Sequence, residues 1–152
     1  MERPSLKEYF LQMLDLVSSR STCARRRVGT IITNNEGHVL SMGYNGVPRN
    51  FQHCIDVPCV GTLDQPGNTD NCMAIHSEQN ALLQCRNIDR AYTMYCSCLP
   101  CFICSKMIAN TNITQIICKE DYADRRGLVV LIEAGMIVEI AGKMYGMEED
   151  NE

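Results

Sequence analysis

The sequence predicts a single α/β domain in which helices cover a mostly buried sheet. Its 152 residues match the length of one ordinary domain. Helix-like and strand-like segments follow one another in the order αββαβαβαβ, and strands that alternate with helices favour parallel pairing in the second half. Hydrophobic residues make up 45% of the chain and charged residues 21%, which are values typical of globular proteins.

The first half predicts one helix and a hairpin, followed by a long irregular segment. Apolar residues three and four positions apart run from Leu6 to Val17, which indicates an amphipathic helix with Ser5 as its N-cap. Two apolar runs, residues 28–32 and 39–43, predict strands joined by a turn. Residues 45–73 contain several prolines, glycines and cysteines. A loop of that length must be held in place by something.

The second half predicts three helices and three strands. The expected helices cover residues 76–86, 101–109 and 124–134, and the expected strands cover residues 91–97, 113–118 and 136–141. These elements define a domain over residues 1–145. Residues 146–152 form an acidic tail that we expect to be disordered.

Charge and hydropathy exclude several classes of function. The net charge is −4, four of the last five residues are acidic, and the rest of the chain is neutral. We therefore expect no nucleic-acid or membrane partner, because either would need a broad basic face. The first twenty residues carry charges throughout, so we expect no signal peptide. The apolar run at residues 128–132 is too short to cross a bilayer. These features predict a cytoplasmic protein.

Ten cysteines are the one unusual feature of the composition, and in a reducing compartment thiols often serve as metal ligands. Two motifs stand out: His76-Ser77-Glu78 and Pro100-Cys101-Phe102-Ile103-Cys104. Cys101 and Cys104 are three residues apart at the start of a predicted helix, so their sulfurs share one face. The helix N-terminus also stabilises thiolates. With His76 they make a Cys2His set, which leaves the open fourth position of a catalytic zinc.

Glu78 distinguishes a catalytic site from a purely structural one. Residues two apart on a helix do not face each other, so Glu78 should not join His76 as a ligand. It is instead placed to move a proton from water, whose pKa a bound zinc lowers to about 7, to the substrate. The combination H-x-E with P-C-x-x-C is the known signature of the zinc-dependent nucleobase deaminases.

Two other cysteine sets remain open at this point. Cys96 and Cys98 could join Cys101 and Cys104 in a closed four-thiolate site, but that site would leave Glu78 without a role. A second group comprises Cys23, Cys54, Cys59 and Cys72, with His53 as a substitute for the least certain of them, Cys59. It could bind a structural zinc that orders residues 45–73. It could equally be a set of free thiols, and spacing alone favours neither interpretation.

The sequence resembles the deoxycytidylate (dCMP) deaminases of bacteria and bacteriophages, within the cytidine deaminase superfamily. The resemblance extends from about residue 5 to residue 138. It rests on both motifs and on these further stretches: Ser21-Thr22-Cys23, Val28-Gly29, Gly43-Tyr44-Asn45-Gly46, His53-Cys54-Ile55-Asp56, Leu82-Leu83-Gln84-Cys85, Asp121-Tyr122 and Glu133-Ala134-Gly135. The motif at residues 43–46, followed by a long cysteine-bearing segment, is the part most specific to the dCMP branch.

The resemblance implies a cytidine-deaminase-like domain with a mixed five-stranded sheet between helices. It implies a catalytic zinc on His76, Cys101 and Cys104, with Glu78 as proton shuttle. It places Asn45 at the deoxyribose, Arg27 and Tyr122 at the sugar–phosphate end, and Ser77 at the base, where alanine is usual. Which of Arg25, Arg26 and Arg27 meets the phosphate is left open.

The function implied is hydrolytic deamination of dCMP to dUMP and ammonia, which supplies thymidylate synthesis. The resemblance also implies a homohexamer that dCTP activates and dTTP with Mg²⁺ inhibits, and a second zinc on the loop cysteines. Its location would be the cytoplasm of a bacterium, or of an infected cell if the chain is phage-encoded. The alternatives are a deaminase of another cytosine nucleoside or nucleotide or of tRNA adenosine, and a zinc-stabilised binding module without catalysis.

Overall fold

The computed structural model describes residues 1–146. Within that range the helices are α1 (Leu6–Ser19), α2 (Ser77–Gln84), α3 (Phe102–Ala109) and α4 (Arg126–Glu133). The strands are β1 (Gly29–Thr33), β2 (Val39–Tyr44), β3 (Thr93–Cys98), β4 (Gln115–Glu120), β5 (Ile137–Ile140) and β6 (Lys143–Tyr145). Two short 3₁₀ helices occupy Val60–Leu63 and Ile88–Arg90. The expected disorder of the tail falls almost wholly on residues 147–152, outside the described residues, and stays a prediction.

The strands form one mixed sheet in the order β2-β1-β3-β4-β5-β6. β3, β4 and β5 run parallel to one another, as the sequence predicts, and the other neighbouring pairs are antiparallel. The nine elements predicted from sequence are confirmed, with their bounds shifted by at most two residues. The α/β class is confirmed as well.

The expectation of five strands is wrong, because a sixth strand extends the sheet. β6 returns along β5 through a two-residue turn at Ala141 and Gly142, whose φ angles are 48° and 87°. Such positive φ angles at both positions are what a tight hairpin turn requires. Alanine is rarely found in this conformation, and three residues give too short a pattern to predict a strand.

The helices lie on both faces of the sheet and enclose two apolar clusters. α1 packs on one face, where Phe10 and Leu14 meet Ile31, Tyr95 and Ile117. α2, α3 and α4 cover the opposite face, which carries the larger core. α1 begins as predicted at Ser5: the Ser5 hydroxyl accepts from the Glu8 amide (3.2 Å), and the Glu8 carboxylate accepts from the Ser5 amide (2.7 Å). In residues 1–146 we find no helix with the length and apolar character needed to cross a membrane.

The long segment between β2 and α2 is closed at its base. Gly46 and Ile75 form an isolated antiparallel bridge, with hydrogen bonds of 3.1 and 2.8 Å between their backbones. This bridge brings the end of β2 next to the start of α2. Further out, the Arg25 guanidinium donates to the carbonyls of Gly61, Gln65 and Asn68 at 2.8–3.2 Å. The segment is thus an ordered loop whose two ends meet beside α2.

Candidate active site

The three predicted metal ligands lie together at the starts of two helices. His76 Nδ1 is 3.5 Å from Cys101 Sγ and 3.4 Å from Cys104 Sγ. Ligands held 2.0–2.3 Å from a tetrahedral zinc are about 3.5 Å from one another. The spacing therefore fits a zinc ion bound through His76 Nδ1 and the two sulfurs. In the part of the chain that is described, these are the only three such residues whose ligand atoms all lie within 4.8 Å.

The start of α3 favours the thiolate form of Cys101. His76 is the N-cap of α2, and Cys101 is the N-cap of α3 with its sulfur accepting from the Cys104 amide. The hydrogen bond from the Cys104 thiol, helped by His76, lowers the pKa of Cys101 to about 4. The Cys101 thiolate in turn raises the pKa of Cys104 and, against the effect of burial, that of His76. A divalent cation would remove the conflict between the two sulfurs by neutralising both thiolates.

Glu78 is the second residue of α2 and is not a member of the ligand group, as its spacing from His76 predicts. Its side chain is buried, and this desolvation raises the pKa of its carboxyl group. The Ser77 hydroxyl donates to Glu78 Oε2 at 3.1 Å. A carboxyl group with a raised pKa beside a metal-ligand cluster is suited to accept and return a proton near neutral pH.

A glycine in β2 sets how closely α2 approaches the sheet. A Cβ atom at Gly43 would lie 2.3 Å from the Ser77 carbonyl oxygen and 2.4 Å from the Ala81 amide nitrogen. Any larger residue would therefore push the start of α2 away from β2. The same helix start carries His76 and Glu78, so Gly43 helps to determine where both side chains lie.

A cavity of about 190 Å³ opens beside the metal-ligand cluster, well above the 10–15 Å³ that a single water requires. Its lining includes His76, Glu78 and Cys101, and also Asn45, Arg26 and Tyr122. The cavity therefore joins the candidate metal site to polar and basic groups suited to a charged, sugar-containing ligand.

Asn45 is already used to hold the walls of this cavity. Its Oδ1 accepts from Ser21 Oγ (2.6 Å) and from the Val28 amide (2.9 Å), and its Nδ2 donates to the Arg26 carbonyl (2.7 Å). An amide carries two N–H donors and two oxygen lone pairs. Among the described residues, one N–H of Asn45 therefore has no partner and is available to a ligand.

The three consecutive arginines point to different surroundings. Arg25 donates to loop carbonyls, as described above, and also lines the cavity. Arg26 lines the cavity, stands 5.7 Å from the centre of the Tyr122 ring and is 3.8 Å from the Glu120 carboxylate. Arg27, the residue that the sequence favoured for phosphate, is exposed and is not among the lining residues. The structure thus brings Arg26 and Tyr122 together at the cavity but leaves Arg27 outside it.

The second candidate zinc site comprises Cys23, Cys54, Cys59 and Cys72. Their sulfurs do not lie at the distances that a shared zinc ion requires. The Cys59 amide donates to Cys54 Sγ at 3.4 Å, and the pKa of Cys72 is raised by burial and by the nearby Cys23 and Cys59 thiols. Within residues 1–146, no three of their sulfurs lie within 4.8 Å of one another. His53 is exposed and faces Asp56 at 4.0 Å instead.

The rival four-thiolate set does not form among the described residues. Cys96 and Cys98 are buried in β3 outside the ligand group. Burial raises the pKa of Cys98 to about 12 and raises that of Cys96 well above its usual range. Both residues therefore behave as small core side chains, as their alternation along a strand indicates.

Sequence reasoning missed two contributors to the site. Thr30 in β1 is fully buried, and its hydroxyl lies 2.8 Å from that of Ser77. Arg25 holds the outer loop through carbonyls far along the chain. No local pattern marks either role, because both partners become neighbours only when β1, α2 and the loop are packed.

Comparisons with known proteins give the family. Residues 4–120 match the family described as "Cytidine and deoxycytidylate deaminase zinc-binding region". The deoxycytidylate deaminase of Saccharomyces cerevisiae is 36% identical over 140 residues, which cover 90% of this chain and 45% of that protein. The deoxycytidylate deaminase of Mycobacterium phage D29 is 34% identical over 124 residues, 77% of this chain and 96% of that protein.

A solved structure agrees with these relatives. The crystal structure of the dCMP deaminase from the cyanophage S-TIM5 in complex with dCMP and dUMP has a TM-score of 0.74 and 31% sequence identity, and the match covers 92% of this chain and 99% of that one. The chain spans less than half the length of the yeast relative but nearly all of both phage proteins. Because the family match covers most of the chain and includes both motifs, the chain belongs to the cytidine and deoxycytidylate deaminase family.

Proposed function

We propose that the chain is a zinc-dependent hydrolase that deaminates dCMP to dUMP and ammonia. One observation carries the proposal: the buried Glu78 carboxyl lines the same cavity as His76 and Cys101, two members of the candidate zinc site. A binding module stabilised by zinc has no use for a buried carboxyl beside its metal. The relatives named deoxycytidylate deaminase support the choice of dCMP.

His76, Cys101 and Cys104 would hold the zinc, which when bound supplies the Lewis acid that makes a water molecule acidic. Glu78 takes a proton as water adds to C4 of the cytosine ring, and it delivers that proton to N3. Glu78 then takes a second proton, from the hydroxyl group that is now on C4, and passes it to the amino group. The C4–N bond breaks, ammonia leaves and a carbonyl forms at C4. The raised pKa of Glu78 suits both transfers, because the group must hold a proton between them.

A substrate panel tests this reaction. dCMP, CMP, deoxycytidine and dCTP are offered side by side to zinc-loaded protein, and the loss of cytosine absorbance is followed. We expect dCMP to react fastest. A preference for deoxycytidine or CMP would identify a different cytosine deaminase, and no reaction with any of the four would favour the non-catalytic or tRNA-adenosine alternatives.

Glu78→Ala separates catalysis from metal binding. We expect the variant to keep its fold and its zinc but to lose turnover by at least the 10²–10⁴-fold typical of general acid–base catalysis. Zinc content per chain and circular dichroism provide the controls. Loss of one zinc per chain would mean that Glu78 is a ligand, and turnover near the wild-type rate would remove its proposed role.

We propose that Arg26 and Tyr122 meet the substrate phosphate and that the free N–H of Asn45 meets the deoxyribose. Arg26→Ala should raise KM for dCMP strongly and change the weak activity on deoxycytidine little, because deoxycytidine has no phosphate. Arg27→Ala is the matched control, since its side chain is outside the cavity. An effect on KM from Arg27→Ala alone would restore the assignment made from the sequence.

We also propose a second zinc bound by Cys23, Cys54, Cys59 and Cys72. Cys23 and Cys72 line the cavity, so a metal there would stabilise the loop beside the substrate. Binding would have to draw the four sulfurs closer than they lie. Elemental analysis should find two zinc ions per chain, and Cys54→Ser or Cys72→Ser should reduce this to one while the His76 site stays filled. A single zinc per wild-type chain, with Cys54 and Cys72 freely alkylated, would contradict the proposal.

Regulation and assembly are proposed from the resemblance alone. They comprise a homohexamer, activation by dCTP, inhibition by dTTP with Mg²⁺, and a role in supplying dUMP for thymidylate synthesis in the cytoplasm of a bacterial or infected cell. Sedimentation at micromolar concentration tests the hexamer, for which a stable monomer is the contradicting result. Initial rates with either nucleotide added at low dCMP test the regulation, and unchanged rates would contradict it.

A further inference from the structure

Three polar side chains form a buried hydrogen-bonded row that ends at the proposed proton shuttle. Thr30 Oγ1 is 2.8 Å from Ser77 Oγ, and Ser77 Oγ is 3.1 Å from Glu78 Oε2. Thr30 and Ser77 are completely buried, and Glu78 is 4% exposed. Buried hydroxyl groups need partners, and the row gives each of the three side chains one.

The chemistry of these groups gives the row a direction. An ionised carboxylate only accepts hydrogen bonds, so Ser77 donates to Glu78. The Ser77 oxygen is then free to accept, which makes Thr30 the donor in the second contact. Thr30 lies on β1 and Ser77 on α2, so the row joins the carboxylate to β1, a strand that is paired on both sides. Thr30 Oγ1 also lies 4.0 Å from the sulfur of Cys96, which belongs to the neighbouring strand β3.

We infer that Ser77 is a positioning residue, which together with Thr30 holds the Glu78 carboxylate at the candidate metal site. This inference rests on the role proposed for Glu78. A glutamate side chain has three rotatable bonds, and proton transfer requires its oxygen within hydrogen-bond distance of the reacting group. Holding Oε2 removes much of that rotational freedom and orients the second oxygen.

The test uses zinc-loaded protein and measures both conformation and rate. The crystal structure of the wild type should show a single conformer of the Glu78 side chain. That of Ser77→Ala should show the carboxylate displaced or in two or more conformers. Ser77→Ala should lower kcat roughly tenfold, as expected for the loss of a hydrogen bond to a charged group. KM for dCMP should change less than kcat, because the Ser77 hydroxyl is hydrogen-bonded to Glu78 and Thr30, and zinc content should stay within about twofold.

A second pair of variants keeps the inference testable if Ser77→Ala folds poorly. Thr30→Val removes the hydroxyl with little change in shape and should lower kcat by a smaller factor. Thr30→Ser, which restores the hydroxyl, should recover most of that loss. Thr33→Val is the control for loss of a buried β1 hydroxyl away from the site, because Thr33 is 1% exposed and outside the cavity. Its kcat should match the wild type.

The outcomes separate this inference from the proposed function. An unchanged Glu78 conformation in Ser77→Ala and Thr30→Val overturns the inference, whatever the rates are. Equal rises in KM and falls in kcat overturn it too, since they indicate a general structural defect. If Glu78→Ala itself retains full activity, the proposed role of Glu78 fails, while the crystal structures still decide whether Ser77 positions its carboxylate.

Discussion

The close approach between Gly43 and α2 predicts that one added methyl group will lower the rate of catalysis strongly while the domain stays folded. In Gly43→Ala the new carbon would stand 2.3 Å from the Ser77 carbonyl oxygen, whereas ordinary contact begins near 3.4 Å. Since the neighbouring atoms belong to the backbone, the start of α2 must retreat by about 1 Å. A displacement of that size can lower a rate about 100-fold. Overpacking lowers the free energy of unfolding by about 1–3 kcal/mol, well within the stability of a typical domain.

Three assays on one preparation test this prediction. We expect kcat for dCMP to fall about 100-fold, zinc to be lost more readily to a chelator because His76 moves, and Tm to fall by roughly 2–12 °C. Ile116→Val is the matched control, because it removes a buried methyl group from β4, away from the cavity, and destabilises by about 0.5–1.5 kcal/mol. Near wild-type kcat and zinc retention in Gly43→Ala would refute the argument that this contact positions α2.

Three further predictions concern single groups. After removal of metal, iodoacetamide should alkylate Cys101 down to about pH 5, because the pKa of this thiol is about 4. Cys98 should stay unmodified at neutral pH, because burial raises its pKa to about 12. Equal labelling of the two cysteines would contradict this difference in pKa. The Ser5 hydroxyl lowers the pKa of Glu8 below its usual 4.5, so the capping box stabilises α1 above that pH and loses its effect as the pH falls through the lower, folded-state pKa. The Tm difference between wild type and Glu8→Gln, which keeps the capping geometry but removes the charge, should therefore shrink from pH 7 to pH 3. A constant difference would count against a contribution from the Glu8 charge. Arg25→Ala should speed proteolysis within residues 61–68. Arg25→Lys should restore little of the protection, because one ammonium group cannot replace a guanidinium that reaches three carbonyls. Unchanged proteolysis in Arg25→Ala would show that the loop is held by other contacts.

Much of the fold could be predicted because its signals are local. The spacing of apolar residues along α1 and the alternation of strands and helices after residue 76 depend on neighbouring positions in the chain. The sixth strand was missed because a three-residue strand has no period to detect, and its turn uses Ala141 in a conformation that alanine rarely adopts. β6 forms because its backbone pairs with β5 across this turn. That pairing depends on β5 being in place and not on a pattern in residues 143–145.

The metal-ligand cluster was predictable from the sequence for the same reason. Cys101 and Cys104 are brought together by a single helical turn, and the offset between His76 and Glu78 separates a ligand from a group that faces the cavity. The spacing of residues within each motif therefore predicts most of the arrangement of its side chains. The sequence alone identified these residues, and helix periodicity predicts different roles for His76 and Glu78.

Only the tertiary structure decided how the surroundings of that cluster are built. The bridge between Gly46 and Ile75 places Asn45 beside the start of α2. Three consecutive arginines look equivalent in the sequence, yet the fold directs only Arg25 and Arg26 towards the loop and the cavity. The contact between Thr30 and Ser77 joins residues 47 positions apart. Such contacts depend on how separate elements pack, and packing leaves no periodic signal along the chain.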